Sequence, residues 1–185
     1  MAQEPERIAL NELEKNIPSQ GLPQNSYDDA GRKRIGVELW TASHVPKRHI
    51  EFRPEKSRSG VWVSAYEKAK EKIGSGAIIA ILGNRGTGKT QMSVCLIRDA
   101  CKKGMPSKYF KALDFFLTIR SSDKGSGPYS EQSKMREFLS PQLLVIDALE
   151  VRGETPFEDR LLSHVIDRRY DDLTDTILIS NQTPE

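Results

Sequence analysis

This sequence of 185 residues has few cysteines, little charge imbalance and no long apolar run. Its two cysteines, Cys95 and Cys101, lie six residues apart on one predicted helix and face different ways, so no disulfide is expected. No apolar run approaches the roughly 18 residues that a membrane-spanning helix needs, and the first residues contain no signal-peptide core. The formal net charge of +2 does not by itself argue for nucleic-acid binding. We therefore expect a cytoplasmic protein that does not associate with membranes.

The N-terminal part of the chain is rich in proline and in uncharged polar residues. This composition predicts a flexible arm over residues 1–55, either a segment that binds a partner or a tail with no role. His44 and His49 lie there in a basic stretch with Lys47 and Arg48. Because neither cysteines nor paired carboxylates accompany them, we expect solvated side chains rather than metal ligands.

Four short apolar segments alternate with helical patterns over residues 56–185. The predicted strands are 77–82, 109–113, 143–146 and 176–179. The predicted helices are 61–73, 88–103, 115–120, 131–139 and 155–170. This alternation predicts an α/β fold, a parallel sheet with helices on both faces, in which ligands bind at the carboxyl ends of the strands.

A glycine-rich loop follows the first predicted strand, with the sequence Gly83-Asn-Arg-Gly-Thr-Gly-Lys-Thr90. This spacing between a strand and a helix is that of a P-loop, whose backbone N–H groups contact phosphate oxygens at a helix N-terminus. Lys89 is expected to reach the β and γ phosphates of ATP, and the Thr90 hydroxyl to ligate Mg²⁺. The predicted nucleotide-binding residues are Gly83, Asn84, Arg85, Gly86, Thr87, Gly88, Lys89, Thr90 and Gln91.

Polar side chains also follow two later strands. Asp147 ends an apolar strand in the pattern of a Walker B segment, where its carboxylate is placed to hold Mg²⁺ opposite Thr90. Asn181 follows the fourth strand, and there it lies either near the terminal phosphate or in an ordinary turn. Lys89, Asp147 and Asn181 are therefore candidate catalytic residues.

Three stretches together resemble a known family: the loop Gly83–Thr90, the strand Leu143–Asp147, and the helix Phe157–Tyr170 with the strand that follows it. They are similar to the DnaC helicase-loader and IstB transposition-helper ATPases of the AAA+ superfamily, from about residue 60 to the end. The resemblance implies an accessory ATPase of DNA replication or transposition that binds single-stranded DNA. It further implies a hexameric replicative helicase or a transposase as partner, a homo-oligomer in the nucleotide-bound state, and Asn181 as the sensor residue.

The chain departs from the family pattern in two places. Ala148 stands where the family usually has an acid that activates water, and losing a general base typically costs about 10²–10⁴ in rate. Glu150 or Glu154 is close enough in sequence to take that role. The chain also ends at Glu185, so we expect a core truncated before the arginine finger and lid, which slows phosphoryl transfer by about 10³–10⁵.

Cations and aromatic residues are interleaved around the second strand and the loop that follows it. In the family this region faces DNA, and single-strand sites combine cations with stacking faces. The candidate DNA contacts are Lys108, Lys111, Arg120 and Lys124. Phe115 and Phe116 are more simply interpreted as core residues.

Two functional hypotheses stay open at this stage. The first is an ATP-hydrolysing helicase loader or transposition helper, and the second is a nucleotide-gated binding module with little hydrolysis. A small-metabolite kinase is disfavoured, because no arginine-rich lid follows the third helix.

Overall fold

The computed structural model describes residues 29–54, 59–120, 128–153 and 155–182. Its helices are α1 (Asp29–Ala42), α2 (Gly60–Lys72), α3 (Lys89–Lys102), α4 (Ala112–Arg120), α5 (Pro128–Leu139) and α6 (Pro156–Asp171). Its strands are β1 (Ile78–Leu82), β2 (Ser107–Lys111), β3 (Leu143–Asp147) and β4 (Asp175–Ser180). Short 3-10 turns are found at Lys47–His49 and Leu149–Val151. None of the helices in these ranges is long and apolar enough to cross a membrane.

The four strands form one parallel sheet in the order β1-β4-β3-β2. Leu82 of β1 pairs with Ser180 of β4, and Lys111 of β2 pairs with Asp147 of β3, so the strands end at the same edge. The predicted parallel sheet is therefore confirmed. Its carboxyl edge brings together the glycine-rich loop, the end of β3 and the end of β4.

Helices cover both faces of the sheet. Successive side chains of a strand point to opposite faces, so each strand can contribute to the apolar cluster on either side. Leu143 and Val145 of β3 pack with α2 and α3 in one apolar cluster. Leu144 and Ile146 pack with α4, α5 and α6 in a second cluster. All four side chains are fully buried, as is expected of a central parallel strand. Phe115 and Phe116 belong to the second cluster, in agreement with the simpler interpretation of these residues.

The segment before α2 is packed against the domain over residues 29–54, where the sequence predicts part of a flexible arm. Helix α1 lies against α3, and Leu39 and Trp40 of α1 pack on the first apolar cluster. The Arg98 guanidinium of α3 lies over the Trp40 ring, at 5.1 Å from its centroid. These contacts join residues distant in sequence, which local composition does not reveal. Residues 1–28 and 55 of the predicted arm lie outside the described residues, as do residues 56–58.

Arg169, near the end of α6, is fully buried and joins three elements. Its Nε donates to Thr176 Oγ1 at 2.8 Å, and Nη2 donates to the Asp175 carbonyl at 2.5 Å. Its Nη1 donates to the carbonyls of Phe138 and Pro141, both at 2.9 Å. Burial lowers the pKa of Arg169 to about 10, partly offset by nearby carboxylates. The guanidinium thus ties α6 to the start of β4 and to the end of α5.

Candidate functional site

A cleft of about 480 Å³ opens at the carboxyl edge of the sheet. The glycine-rich loop and α3 line it with Arg85, Gly86, Gly88, Lys89, Thr90 and Gln91. The segments after β3 and β4 contribute Asp147, Ala148, Glu150 and Asn181. The structure therefore gathers most of the predicted nucleotide-binding residues and all the candidate catalytic residues around one space.

The loop conformation depends on glycine at Gly88, the residue before α3. Gly88 has φ of 85°, a left-handed conformation that L side chains rarely adopt. A Cβ atom at this position would lie 2.9 Å from Nε1 of Trp62. That indole N–H donates to the Gly88 carbonyl at 3.2 Å, and the Thr87 hydroxyl donates to the Asn84 carbonyl at 2.9 Å. The loop is thus fixed by α2 on one side and by its own hydroxyl on the other.

The Lys89 ammonium bridges the loop and the end of β4. Nζ donates to the carbonyl oxygens of Gly83 at 2.7 Å and Asn84 at 2.9 Å, and to Asn181 Oδ1 at 2.8 Å. Lys89 is 8% exposed, and within the described ranges no carboxylate forms an ion pair with it. A mostly buried cation with neutral partners at a helix N-terminus is suited to an anionic ligand.

Oxygen atoms from three elements meet at Asp147. The hydroxyls of Thr90 and Tyr109 each donate to Asp147 Oδ2 at 2.7 Å, and the Ala148 N–H donates to Oδ1 at 2.7 Å. A hydroxyl beside a carboxylate is a hard-oxygen donor set of the kind that Mg²⁺ takes. Across the described residues no cluster of three histidine, cysteine or acidic side chains forms an all-protein metal site.

Tyr109 is a site residue that the sequence analysis does not predict. Burial, and next the hydrogen bond to Asp147, raise the pKa of Tyr109 above its ordinary value. The phenol therefore stays protonated and donates to the carboxylate. Only the register of β2 against β3 brings this side chain near Asp147, and the sequence carries no signal of that register.

Glu150 is linked to Lys89 through Asn181. The Asn181 backbone N–H donates to Glu150 Oε2 at 3.0 Å, and its side-chain amide donates to the other carboxylate oxygen. The chain turns at Ala148, which has φ of 60°, and the following 3-10 turn places Glu150 beside the end of β4. The structure thus brings Lys89, Asn181 and Glu150 into one hydrogen-bonded series, while their catalytic roles stay predictions.

Arg48 and His49 also line the cleft, although the sequence predicts solvated side chains. Burial is the main cause that lowers the pKa of His49, followed by the Arg48 charge, whereas Asp147 acts in the opposite direction. His49 Nδ1 is buried and has no hydrogen-bond partner among the described residues. These two residues reach the site through packing of the N-terminal segment, which no local sequence pattern indicates.

The candidate DNA contacts have different surroundings. Lys111 is exposed and Lys108 is half-buried, both on β2, and Lys124 lies outside the described residues, as does Glu154. Arg120 lies 3.4 Å from the buried Glu158 carboxylate and 5.5 Å from the centroid of the Phe157 ring. These contacts give Arg120 a structural role at the start of α6, and its contact with DNA stays a prediction.

A family profile described as IstB-like ATP binding protein matches residues 68–185. The replicative helicase loader DnaC of Escherichia coli K12 is 24% identical over 127 residues, which cover 66% of this chain and 51% of the loader. The chain thus spans about half the length of that relative. A protein named for insertion sequence IS5376, from Geobacillus stearothermophilus, is 30% identical over 105 residues, covering 57% of this chain and 40% of that protein.

Among solved structures, a crystal structure of the DnaC helicase loader superposes with a TM-score of 0.61 at 21% identity. The match covers 76% of this chain and 82% of that chain. This likeness confirms the predicted P-loop AAA+ type of fold.

Proposed function

The chain belongs to the IstB-like ATP-binding protein family, and from this premise we propose that it binds ATP with Mg²⁺ at the Gly83–Thr90 loop. The observation that carries the proposal is the convergence of Lys89, Thr90 and Asp147 at the carboxyl edge of the sheet. A cation, a hydroxyl and a carboxylate at the N-terminus of α3 supply the groups that a metal-bound triphosphate needs.

Each group has a defined task in this proposal. The loop N–H groups and the Lys89 ammonium bind phosphate oxygens, and Lys89 exchanges its loop carbonyl partners for them. Thr90 and Asp147 would hold Mg²⁺, which supplies neutralisation of phosphate charge. Tyr109 orients Asp147 by donating to the same oxygen that accepts from Thr90.

Hydrolysis is slow in this proposal, because Ala148 follows Asp147 where the resemblance predicts an acid. Glu150 is the carboxylate lining the cleft that hydrogen-bonds to Asn181. We propose that Glu150 orients the attacking water. Asn181, which is hydrogen-bonded to both Lys89 and Glu150, would hold Glu150 in place relative to the terminal phosphate. The protein then acts mainly as a nucleotide-dependent binding module with weak ATPase activity.

For the biological role we propose a replicative helicase loader that binds single-stranded DNA and a hexameric helicase and that oligomerises with bound nucleotide. The match to DnaC, in sequence and in fold, supports this role. A transposition helper that acts with a transposase is the second candidate. It is supported by the 30% identity to the insertion-sequence protein.

Isothermal titration calorimetry with ATP and Mg²⁺ tests the binding site. Lys89→Ala removes the ammonium between the loop and Asn181, and we expect the affinity to fall by at least about tenfold. Lys103→Ala, at the opposite end of α3, is the matched control and leaves the affinity unchanged. Equal affinity of Lys89→Ala and the wild-type protein contradicts the proposed site.

Single-turnover hydrolysis tests the catalytic assignment. We expect Ala148→Glu to raise turnover by at least about tenfold, because it restores an acid directly after Asp147. Glu150→Gln keeps the side-chain size and lowers the residual turnover of the wild-type protein. If Glu150→Gln hydrolyses ATP as fast as the wild-type protein does, Glu150 is not the water-orienting group.

Size-exclusion chromatography with light scattering distinguishes the two biological roles. The protein is mixed with a hexameric replicative helicase, with and without ATP, Mg²⁺ and single-stranded DNA. A nucleotide-dependent complex with the helicase supports the loader. Assembly on duplex DNA with no helicase complex supports the transposition helper instead.

A further inference from the structure

Residues 43–52, which we call the strap, connect α1 to the region before α2, and two of them, Arg48 and His49, line the cleft. The strap is fixed at both ends. The carbonyl of the buried Ser43 accepts from the Tyr109 N–H at 2.9 Å. The Arg98 guanidinium donates to the carbonyls of Ile50 at 2.6 Å and Phe52 at 2.8 Å. The part of the strap that faces the cleft is therefore positioned by β2 and by α3.

Both anchors belong to elements of the nucleotide site itself. The backbone N–H of Tyr109 donates to the strap, and its side-chain hydroxyl donates to the Asp147 carboxylate. Arg98 lies on α3, the helix that begins at Lys89. Phe52, at the end of the strap, packs edge-on against Trp62 with ring centroids 5.5 Å apart, and Trp62 in turn contacts Gly88. The strap is thus joined to the glycine-rich loop through Phe52 and Trp62, and to the Asp147 carboxylate through Tyr109.

The strap presents the Arg48 side chain to the cleft. Arg48 forms no hydrogen bond and no ion pair with any residue in the described part of the chain, and its side chain is exposed. Beside it, the buried His49 Nδ1 also lacks a hydrogen-bond partner there. Of these two groups the exposed Arg48 guanidinium is the one that a ligand in the cleft can reach, and a cation without a protein partner is suited to an anion.

The residues that share the cleft with Arg48 indicate which part of the nucleotide it meets. Arg48 and His49 line the same cleft as Lys89, Thr90 and Asp147. Asp147 lies beside Thr90, on the side where Mg²⁺ and the terminal phosphate would lie. A guanidinium suits phosphate because its planar donors match two phosphate oxygens at once.

We propose that Arg48 binds the terminal phosphate of ATP within the same chain, so that the strap makes the site discriminate ATP from ADP. The inference rests on the proposed ATP site and adds a residue upstream of the family match, which begins at residue 68. It adds a second cation at the terminal phosphate, beside the Lys89 ammonium of the loop.

Calorimetric titration of the full chain with ATP and with ADP, both with Mg²⁺, tests this assignment. Arg48→Ala is expected to lower the affinity for ATP by about tenfold and to change that for ADP by less than about twofold. The matched control is Lys47→Ala, which removes a neighbouring exposed cation that does not line the cleft, and both affinities should stay unchanged. Equal thermal midpoints of all variants show that the fold is intact.

The outcomes separate this inference from the proposed function. If Lys89→Ala weakens ATP binding while Arg48→Ala matches the wild-type protein, the ATP site stands and the role of Arg48 is overturned. Equal losses of ATP and ADP affinity in Arg48→Ala also overturn the assignment to the terminal phosphate. If the wild-type protein binds neither nucleotide, the proposed function fails and the inference fails with it.

Discussion

Two adjacent arginines at the end of α6 have opposite surroundings. Arg168 is exposed, whereas Arg169 is fully buried and donates to backbone carbonyls and to Thr176. Their neighbourhood in sequence is the same, and a cation near a helix C-terminus is favourable in either case. Only the helical phase, set by the packing of α6 on the sheet, decides which one becomes structural.

Replacing each arginine by methionine measures this difference. Arg169→Met leaves several buried carbonyls without donors, and we expect the free energy of unfolding to fall by about 3–5 kcal/mol. Arg168→Met should change it by less than about 0.5 kcal/mol. Urea denaturation of both variants provides the measurement, and similar losses would show that the buried hydrogen bonds of Arg169 contribute little.

Two buried tyrosines make stability depend on pH in alkaline solution. Burial raises the pKa of both Tyr66 and Tyr109 above 10.0, helped by hydrogen bonds to Asp99 and Asp147. Above pH 10 the unfolded chain therefore loses protons that the folded chain keeps. The stabilisation is present below pH 10 and is lost as the pH rises further.

We therefore expect the free energy of unfolding to fall between about pH 9 and about pH 11. The variant that combines Tyr66→Phe with Tyr109→Phe should show a smaller decrease over this interval. Tyr170→Phe, at an exposed tyrosine, is the control and should keep the wild-type slope. Urea midpoints measured at both pH values test this, and an unchanged slope in the double variant would contradict it.

At the same scale, the sequence predicts those site residues whose positions follow from local spacing. The loop fixes Lys89 and Thr90 relative to one another, and Asp147 and Asn181 follow recognisable strands. Tyr109, Arg48 and His49 reach the cleft only through strand register and packing of the strap. Contacts of this kind link residues far apart in sequence, so periodicity and spacing contain no information about them.

At the scale of elements, the turn between α2 and β1 joins the first strand to the last. The buried Asp175 carboxylate accepts from the N–H groups of Gly74 at 2.6 Å and Ala77 at 2.9 Å. Gly76 lies in the same turn with φ of 73°, and a Cβ atom there would be 2.9 Å from Leu173 Cα. The turn and the segment before β4 are therefore in direct backbone contact.

Gly76→Ala should destabilise the protein more than an alanine substitution at a glycine that has a similar positive φ but no nearby atoms. Gly104 is the matched control, since its φ is 79° and a Cβ atom there meets nothing within 4 Å. We expect Gly76→Ala to cost about 1–3 kcal/mol more than Gly104→Ala, because the backbone of Leu173 has to shift. Chemical denaturation compares the two, and equal losses would mean that the turn adapts freely.

The element boundaries show where local patterns suffice. The observed β1 and β3 lie within one residue of the predicted strands, because continuous apolar runs mark strands buried on both faces. Strand β2 begins at Ser107 and ends at Lys111, two residues earlier than predicted, since its outer positions carry lysines. Helix α1 lies within the predicted arm and is not predicted as a helix that packs on the domain. Its apolar residues form no clear stripe, and its packing partner is α3, which is distant in sequence.

At the scale of the whole molecule, the candidate site is built from both ends of the described chain. The strap, the loop and the segment after β4 all border one cleft, so a ligand there contacts parts that must separate on unfolding. A ligand that binds only the folded state stabilises it in proportion to the logarithm of its concentration.

We expect ATP with Mg²⁺, at about 100 times its dissociation constant, to stabilise the protein by about 2.7 kcal/mol. For a domain of this size, that corresponds to a rise of roughly 5–10 °C in the thermal midpoint. Removing Mg²⁺ with EDTA should abolish most of the rise, because Thr90 and Asp147 then face the triphosphate without a cation between them. Scanning fluorimetry measures both midpoints, and an equal rise in EDTA would argue against a metal at these oxygens.

The contact between Trp62 and the glycine-rich loop also gives this protein a built-in optical reporter. The chain has two tryptophans, and the indole N–H of Trp62 donates to the carbonyl of Gly88, next to the proposed phosphates. Its ring also stacks on Tyr66, with centroids 5.5 Å apart. We expect occupancy of the loop to alter the polarity around this indole and, with it, the wavelength and intensity of its emission. A change of tryptophan emission on addition of ATP would then report binding without an attached dye, and Trp62→Phe should abolish it.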